Sequence, residues 1–344
     1  MMILRTILLG GLCLALSAGA SLKADEPAAK IVSVKKIWDA AHHNAFTDLI
    51  HHQGKWYCVF REGKGHVSPD GALRIITSPD GETWTSAALV TADDADLRDA
   101  KISVTPDGRL CLCGAAAWHH PEKETHQTFL WYSKDGTNWG ERIAIGDPGY
   151  WIWRIVWHKG HAYGIGYQTG KQAEHSTRLY ESEDGHHFRT LVASLTEKGA
   201  GYVNEAGMLI LPDETFLSVI RRDNRNEETA ALLGTARPPY TDWAWKNMGV
   251  RIGGPAMLQL PDGRIVVAGR DYVGHAKTAL WWLNPKTAQL QQIAVLPSQG
   301  DNSYPGLVFH DGQLWVSYYS TPDAEKGSPD SKRTFIYLAR LQLP

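Results

Sequence analysis

A short turn motif recurs along the chain and constrains its fold more than any other feature. Ser78-Pro-Asp-Gly-Glu-Thr-Trp84, Ser133-Lys-Asp-Gly-Thr-Asn-Trp139 and Ser182-Glu-Asp-Gly-His-His-Phe188 start 55 and 49 residues apart. Self-similarity at a period of about 50 residues marks a repeat architecture such as a propeller. Each copy reads as a hairpin closure. The Asp accepts hydrogen bonds from nearby backbone, the Gly takes a positive φ, and the aromatic folds under the turn to pack between sheets. The strand ahead of the first copy alternates, as Ala72-Leu-Arg-Ile-Ile-Thr-Ser78. The motif is therefore structural and not itself a site.

A second repeat is independent of the first. An apolar strand, a turn and another apolar strand recur with turns centred on Gly54, Gly108, Gly160, Glu214, Gly263 and Gly312, at intervals of 54, 52, 54, 49 and 49. That length suits one four-stranded antiparallel blade, so the expected fold is an all-β, six-bladed β-propeller. The three Ser-Asp-Gly turns then join the third and fourth strands of blades 1 to 3. Blade 6 lacks a fourth strand after Ile336–Leu343, and Ile31–Trp38 can supply it, closing the ring and removing an exposed edge.

Fourteen Trp and 33 Gly suit such a turn-rich β protein. Residues 1–24 read as an export signal, with Arg5 in the n-region, an apolar stretch from Thr6 to Ala20, and cleavage after Ala20 or Ala24. A retained anchor is the alternative, but the run is short for a span. The expectation is one propeller domain over 25–344, exported to the periplasm or the extracellular space, without stable membrane insertion. A formal charge of −2 argues against nucleic acid as a partner. Cys58, Cys111 and Cys113 fall in inner strands and read as buried thiols, with one disulfide as the alternative. No Cys/His spacing resembles a zinc site. The His pairs 42–43, 119–120 and 186–187 read as loop residues, so no metal or other cofactor is expected.

In a propeller, residues just before the first strand and just after the second ring one mouth. By register the first set is Phe46, Asp99, Trp153, Glu205, Pro255 and Tyr304. The second is Arg61, Ala115, Tyr167, Arg221, Arg270 and Tyr319. Arg forks bind carboxylates and sulfates bidentately. Arg61, Arg221 and Arg270 thus define an anion-binding mouth, or else each pairs with a nearby acid: Glu62, Asp223 or Asp271.

At this point the chain resembles the sialidase superfamily over roughly residues 40–340. The Ser-Asp-Gly turns look like that family's Asp boxes, each one residue short. Glu205-AGMLILPDETFLSVIR-Arg221 is similar to the family's glutamate, strand, turn and arginine, with Glu214 in place of the usual turn Gly. Ser303-Tyr304-Pro-Gly resembles the segment bearing the nucleophilic tyrosine. The resemblance implies Tyr304 as nucleophile, Glu205 as its base and Arg221 as one carboxylate-binding arginine. The acid/base would lie before the third strand of blade 1, where Asp70 and His66 are the candidates. The chain departs from the family at two arginines. Asn44–Leu49 lacks the first, and Val273–Thr278 lacks the third; Arg61 and Arg270 would have to substitute from other strands.

The chemistry follows from the residue types. A tyrosine hydroxyl needs a base to attack, and a neutral nucleophile avoids repulsion where the anomeric carbon bears a carboxylate. Arg221 favours the ionised tyrosine, and Asp70 or His66 protonates the leaving oxygen. Asp99 and Trp153 join the arginines as substrate-binding candidates; Trp118, Trp151 and Trp281 either stack on sugar or pack. The leading expectation is an exported, exo-sialidase-like glycoside hydrolase acting on an acidic or unusual sugar of a glycan. Alternatives are a polysaccharide lyase cleaving uronate glycans by β-elimination, with Tyr304 or His66 as the base, and a non-catalytic glycan-binding propeller.

Overall fold

Period-two alternation, cut every few residues by Gly- or Asp-bearing turns, builds 24 strands and no α-helix among the described residues. The computed structural model describes residues 28–122, 124–170, 176–196, 200–223, 228–322 and 332–344. The export signal expected at residues 1–24 lies outside them. The strands form six four-stranded sheets, five of them sequential and the sixth closed by the N-terminal strand. Lys30–Trp38 pairs antiparallel with Phe335–Gln342, from Lys30↔Gln342 to Trp38↔Ile336. The first and last strands thus share one blade, and the ring closes as the sequence predicts.

The innermost strands are His43–His52, Ala95–Val104, Tyr150–His158, Tyr202–Ile210, Ile252–Gln259 and Asn302–His310. Apolar residues of neighbouring blades fill six wedges between them. One example is Leu217, Val219, Val267 and Trp281 between blades 4 and 5. Cys58, Cys111 and Cys113 are free and buried in such wedges, as the reading as buried thiols predicts. Their apolar burial pushes all three thiols well up.

The recurring motif behaves as its chemistry requires. Gly81 N donates to Ser78 Oγ (2.8 Å), Thr83 N donates to Asp80 Oδ1 (2.9 Å), and Trp84 Nε1 donates to the Gly81 carbonyl (3.1 Å). The Ser133 and Ser182 turns repeat the Ser–Gly and Asp–backbone bonds. Trp84, Trp139 and Phe188 each pack into the wedge shared with the preceding blade.

The six inner hairpins all turn through a left-handed residue: Gly54, Gly108, Gly160, Glu214, Gly263 and Gly312 have φ of 73, 83, 88, 68, 90 and 74°. Only blade 4 puts a side chain there, and a residue with a Cβ is disfavoured in this region. The Glu214 carboxylate pairs with Lys159, but both are solvent-exposed, so the pair contributes little. Glu214→Gly is therefore expected to stabilise the fold by about 0.5–1 kcal/mol. Chemical denaturation checks this, and an unchanged or lower midpoint would contradict it.

Candidate functional site

Every innermost strand carries a β-bulge at the same height. Two residues oppose one on the second strand between the pairs Ala45↔Arg61 and Asp48↔Val59, and equivalently in the other five blades. The first bulge residues are Phe46, Asp99, Trp153, Asn204, Gly254 and Tyr304. Four of them are left-handed, with φ of 63° at Phe46, 54° at Asp99, 57° at Gly254 and 51° at Tyr304. A bulge of this kind re-aims a side chain out of the ladder, and six of them around one axis make the mouth. In blades 4 and 5 the register expected from sequence is one residue late, since Glu205 and Pro255 are second bulge residues.

Tyr304 and Glu205 nevertheless meet. Tyr304 Oη donates to Glu205 Oε1 at 2.7 Å. Arg221 Nη1 donates to Tyr304 Oη at 2.8 Å and to both Glu205 oxygens at 2.8 and 2.9 Å. Glu205 Oε2 also accepts the Gly254 N–H at 2.7 Å. The sequence reading missed Gly254, although its signal was the Gly253-Gly254-Pro255 run. A Cβ there would lie 2.6 Å from the Tyr304 ring. Burial holds the Tyr304 phenol well above its ordinary pKa, with Glu205 adding to the rise and Arg221 and Arg270 opposing it. The resting tyrosine is neutral and donates its hydroxyl hydrogen bond to Glu205.

Of the three arginines proposed from sequence, only Arg221 touches Tyr304 and Glu205 by hydrogen bond. Arg61 is fully buried. Its guanidinium donates to Asp96 Oδ1 (2.9 and 2.8 Å), to the Gly65 carbonyl (2.8 Å) and to the Ser68 carbonyl (3.0 Å). It is therefore no substrate ligand: its donors hold blade 1 to blade 2 and to the 63–71 connection. Arg270 occupies the equivalent register position in blade 5, paired with Gly253. It reaches blade 6, donating to Asp301 Oδ1 (3.0 Å), Tyr319 Oη (2.9 Å) and the Asn302 carbonyl. Its guanidinium lies 5.2 Å from the Tyr304 ring centroid, so it lines the site with Nε and Nη2 engaged in blade 6. Arg221 Nε also lies 2.8 Å from Asp223 Oδ2.

Asp70 and His66 lie in the connection before the third strand of blade 1, and neither hydrogen-bonds to Tyr304 or Glu205. Asp70 is exposed and accepts the Lys64 N–H at 3.2 Å. Hydrogen bonds from Ser68 and Lys64 outweigh its slight burial and hold it below the usual carboxylate range, which unsuits it as an acid. His66 Nδ1 lies 2.7 Å from Asp301 Oδ2. Trp153 is buried, its ring 5.7 Å from that of Tyr304 and 4.9 Å from Lys101 Nζ. Of its two readings, a substrate-binding ring or a packed one, this burial in an apolar cluster fits packing. Trp281 likewise packs, in the blade 4–5 wedge. Trp151 is buried and stacks on His126 and Tyr167; Trp118 stays half-buried.

Asp99 has the features of a proton donor that Asp70 lacks. It is 5% exposed, and its Oδ1 has no hydrogen-bond partner. Burial raises its pKa to about 6, against the opposing charges of Arg98 and Lys101, and the Glu205 carboxylate is near enough to add to the rise.

No family model and no curated protein matches the chain. Solved structures do. A protein of unknown function from Dyadobacter fermentans is 18% identical, with a TM-score of 0.80, covering 92% of this chain and 100% of that one. An α-L-arabinanase from Penicillium chrysogenum, complexed with arabinobiose, is 13% identical, with a TM-score of 0.69, covering 91% and 98%. A sialidase from Trypanosoma rangeli is 11% identical, with a TM-score of 0.65, covering 87% of this chain. The chain spans only 55% of that sialidase. The fold is thus the six-bladed propeller found in sialidase and arabinanase structures.

A buried carboxyl with a raised pKa costs stability once it ionises. The folded state holds the Asp99 proton up to pH about 6, whereas the unfolded chain releases it near 4. Stability should therefore fall as pH rises through this window. Asp99→Asn removes the penalty and is expected to stabilise the protein at pH 7.5 by about 2–3 kcal/mol relative to its effect at pH 4. Equal effects at both pH values in denaturant titrations would refute the assignment.

Proposed function

We propose that the protein is a retaining glycoside hydrolase with Tyr304 as nucleophile, Glu205 as its base and Asp99 as acid/base. The observation that carries this reading is the three-way contact of Tyr304 Oη, Glu205 Oε1 and Arg221 Nη1, every distance within 2.7–2.8 Å. In the first step Tyr304 Oη attacks the anomeric carbon and its proton passes to Glu205. The glycosidic C–O bond breaks, and Asp99 gives its proton to the leaving oxygen. Arg221 Nη1 stabilises the phenolate charge as it develops. In the second step Asp99 takes a proton from water, whose oxygen displaces the tyrosine, and Glu205 returns the phenol proton. Two inversions restore the anomeric configuration.

The proposed substrate is an acidic or otherwise unusual sugar of a glycan, with fewer free arginines for its anion than the three of a full sialidase site. Arg61 is spent on Asp96 and the 63–71 connection, whereas Arg221 Nη2 and Arg270 Nη1 make no hydrogen bond among the described residues. The arabinanase likeness supports including arabinosides beside sialosides and uronate polymers in the substrate panel. We further propose that the enzyme acts outside the cytoplasm; mass spectrometry of the mature protein should show an N-terminus after Ala20 or Ala24.

Tyr304→Phe is expected to lower kcat at least a thousandfold, about 4 kcal/mol of barrier, while substrate still binds. For the wild type, kcat/KM should decline above pH about 6 as Asp99 ionises. Asp99→Asn should lose that limb and slow substrates with poor leaving groups most. Full activity of Tyr304→Phe would remove the nucleophile assignment. New reducing ends accompanied by the ultraviolet absorbance of an unsaturated uronate would replace hydrolysis with elimination. A glycan that binds and is never cleaved would make the propeller a binding module.

A further inference from the structure

At the rim of the mouth, one ring away from Tyr304, three potential metal ligands converge from three separate parts of the chain. His43 begins the inner strand of blade 1, His66 lies in the 63–71 connection, and Asp301 immediately precedes the inner strand of blade 6. His43 Nε2 lies 3.0 Å and His66 Nδ1 lies 2.7 Å from the same oxygen, Asp301 Oδ2. All three ligand atoms fall within 4.8 Å of one another. The Phe46 ring, 4.9 Å from Tyr304 and 5.1 Å from His66 between centroids, separates the cluster from the nucleophile.

We propose that His43, His66 and Asp301 form a divalent transition-metal site of the two-histidine, one-carboxylate type. Ligands about 2.0–2.2 Å from one ion stand roughly 3–3.5 Å apart, so small side-chain shifts convert the present cluster into a ligand set. Two imidazole nitrogens and one carboxylate oxygen suit zinc, nickel or cobalt rather than magnesium or calcium. The carboxylate is already oriented for the task. Its Oδ1 accepts from Arg270 Nη2 (3.0 Å) and Tyr319 Oη (2.7 Å), which leaves Oδ2 to the histidines. Ligating carboxylates are commonly fixed by such a supporting shell.

The state of His43 is a second, independent observation. It is 4% exposed. Asp301 is its only side-chain hydrogen-bond partner among the described residues, so the fold buries an imidazole that it scarcely uses. His66 is half exposed, so the remaining coordination positions face solvent at the mouth. They would take water, or a sugar hydroxyl when a glycan lies across the rim.

The test is metal titration of the full chain after chelation and dialysis, by calorimetry with Zn²⁺ and by visible absorption with Co²⁺. Wild type should bind one equivalent, show a cobalt d–d band and gain thermal stability with zinc. Tyr319→Phe, which removes only a supporting hydroxyl, should weaken binding about tenfold, and His66→Ala by more than that. His66 sits on an exposed connection, so its variant should fold even if Asp301→Asn does not, since Asp301 also holds Arg270. The double variant His119→Ala/His120→Ala controls for adventitious surface histidines and should bind like wild type. Equal affinity in wild type and His66→Ala, or no cobalt band in wild type, would overturn the site and leave the cluster a hydrogen-bonded one. Neither outcome depends on any glycan being cleaved.

Discussion

The bulge in each innermost strand is the constraint from which the site follows. Six strands start beside one axis, and a regular ladder would send alternate side chains into the wedges between blades. The extra residue breaks that alternation at one height and turns a side chain toward the axis. Left-handed backbone at Phe46, Asp99 and Tyr304 is tolerated because each strand is locked by its ladder below the bulge, by apolar wedges on both sides, and by cross-ties between strands. One such tie runs from Thr47 Oγ1 to the Tyr304 carbonyl at 2.8 Å. Another is Lys101 Nζ donating to the Thr47 carbonyl at 3.0 Å. Strain held by surrounding packing is a frequent property of reactive sites, and here it brings residues 99 apart in sequence, Glu205 and Tyr304, into one hydrogen bond.

A second device, an arginine–aspartate clamp, ties blades together at the same height. Arg61 reaches Asp96 from blade 1 to blade 2, and Arg270 reaches Asp301 from blade 5 to blade 6. In both cases the arginine pairs with the residue before a bulge, and the aspartate stands three residues before the next blade's bulge. The first clamp is sealed, the second opens onto the mouth. Removing one partner of the sealed clamp would leave a buried charge without compensation, a loss of roughly 3–5 kcal/mol. Two of the three arginines that looked like an anion-binding set in the sequence are thus tied into the frame, and Arg221 alone hydrogen-bonds to Tyr304 and Glu205.

The periodic features were legible because they are local. Turn chemistry and alternation located six blades, the strand that closes the ring, and the joins of blades 1 to 3. The Tyr304–Glu205–Arg221 grouping was legible through its resemblance to a known pattern. What local reading could not supply was the effect of one inserted residue. A bulge shifts the register by one without altering composition, so Pro255 was placed where Gly254 stands. The fate of Arg61 and Arg270 was hidden for a different reason: it depends on Asp96 and Asp301, acids contributed by the next blade rather than the adjacent Glu62 and Asp271. Asp70 occupied the expected connection, yet its own turn captures its carboxylate.

The two carboxyl groups of the site differ in their hydrogen-bond surroundings. Glu205 accepts from Arg221, Tyr304 and the Gly254 N–H. Asp99 is buried, with one oxygen unpartnered, and keeps its proton to about pH 6. Burial raises both the Tyr304 phenol and the Asp99 carboxyl, and in the proposed hydrolase that leaves Asp99 as the proton donor. The unpartnered oxygen of Asp99 and the left-handed backbone beneath it both work against stability. A fold that only needed to close its ring would gain by replacing them, so their presence at the mouth supports a chemical role for Asp99.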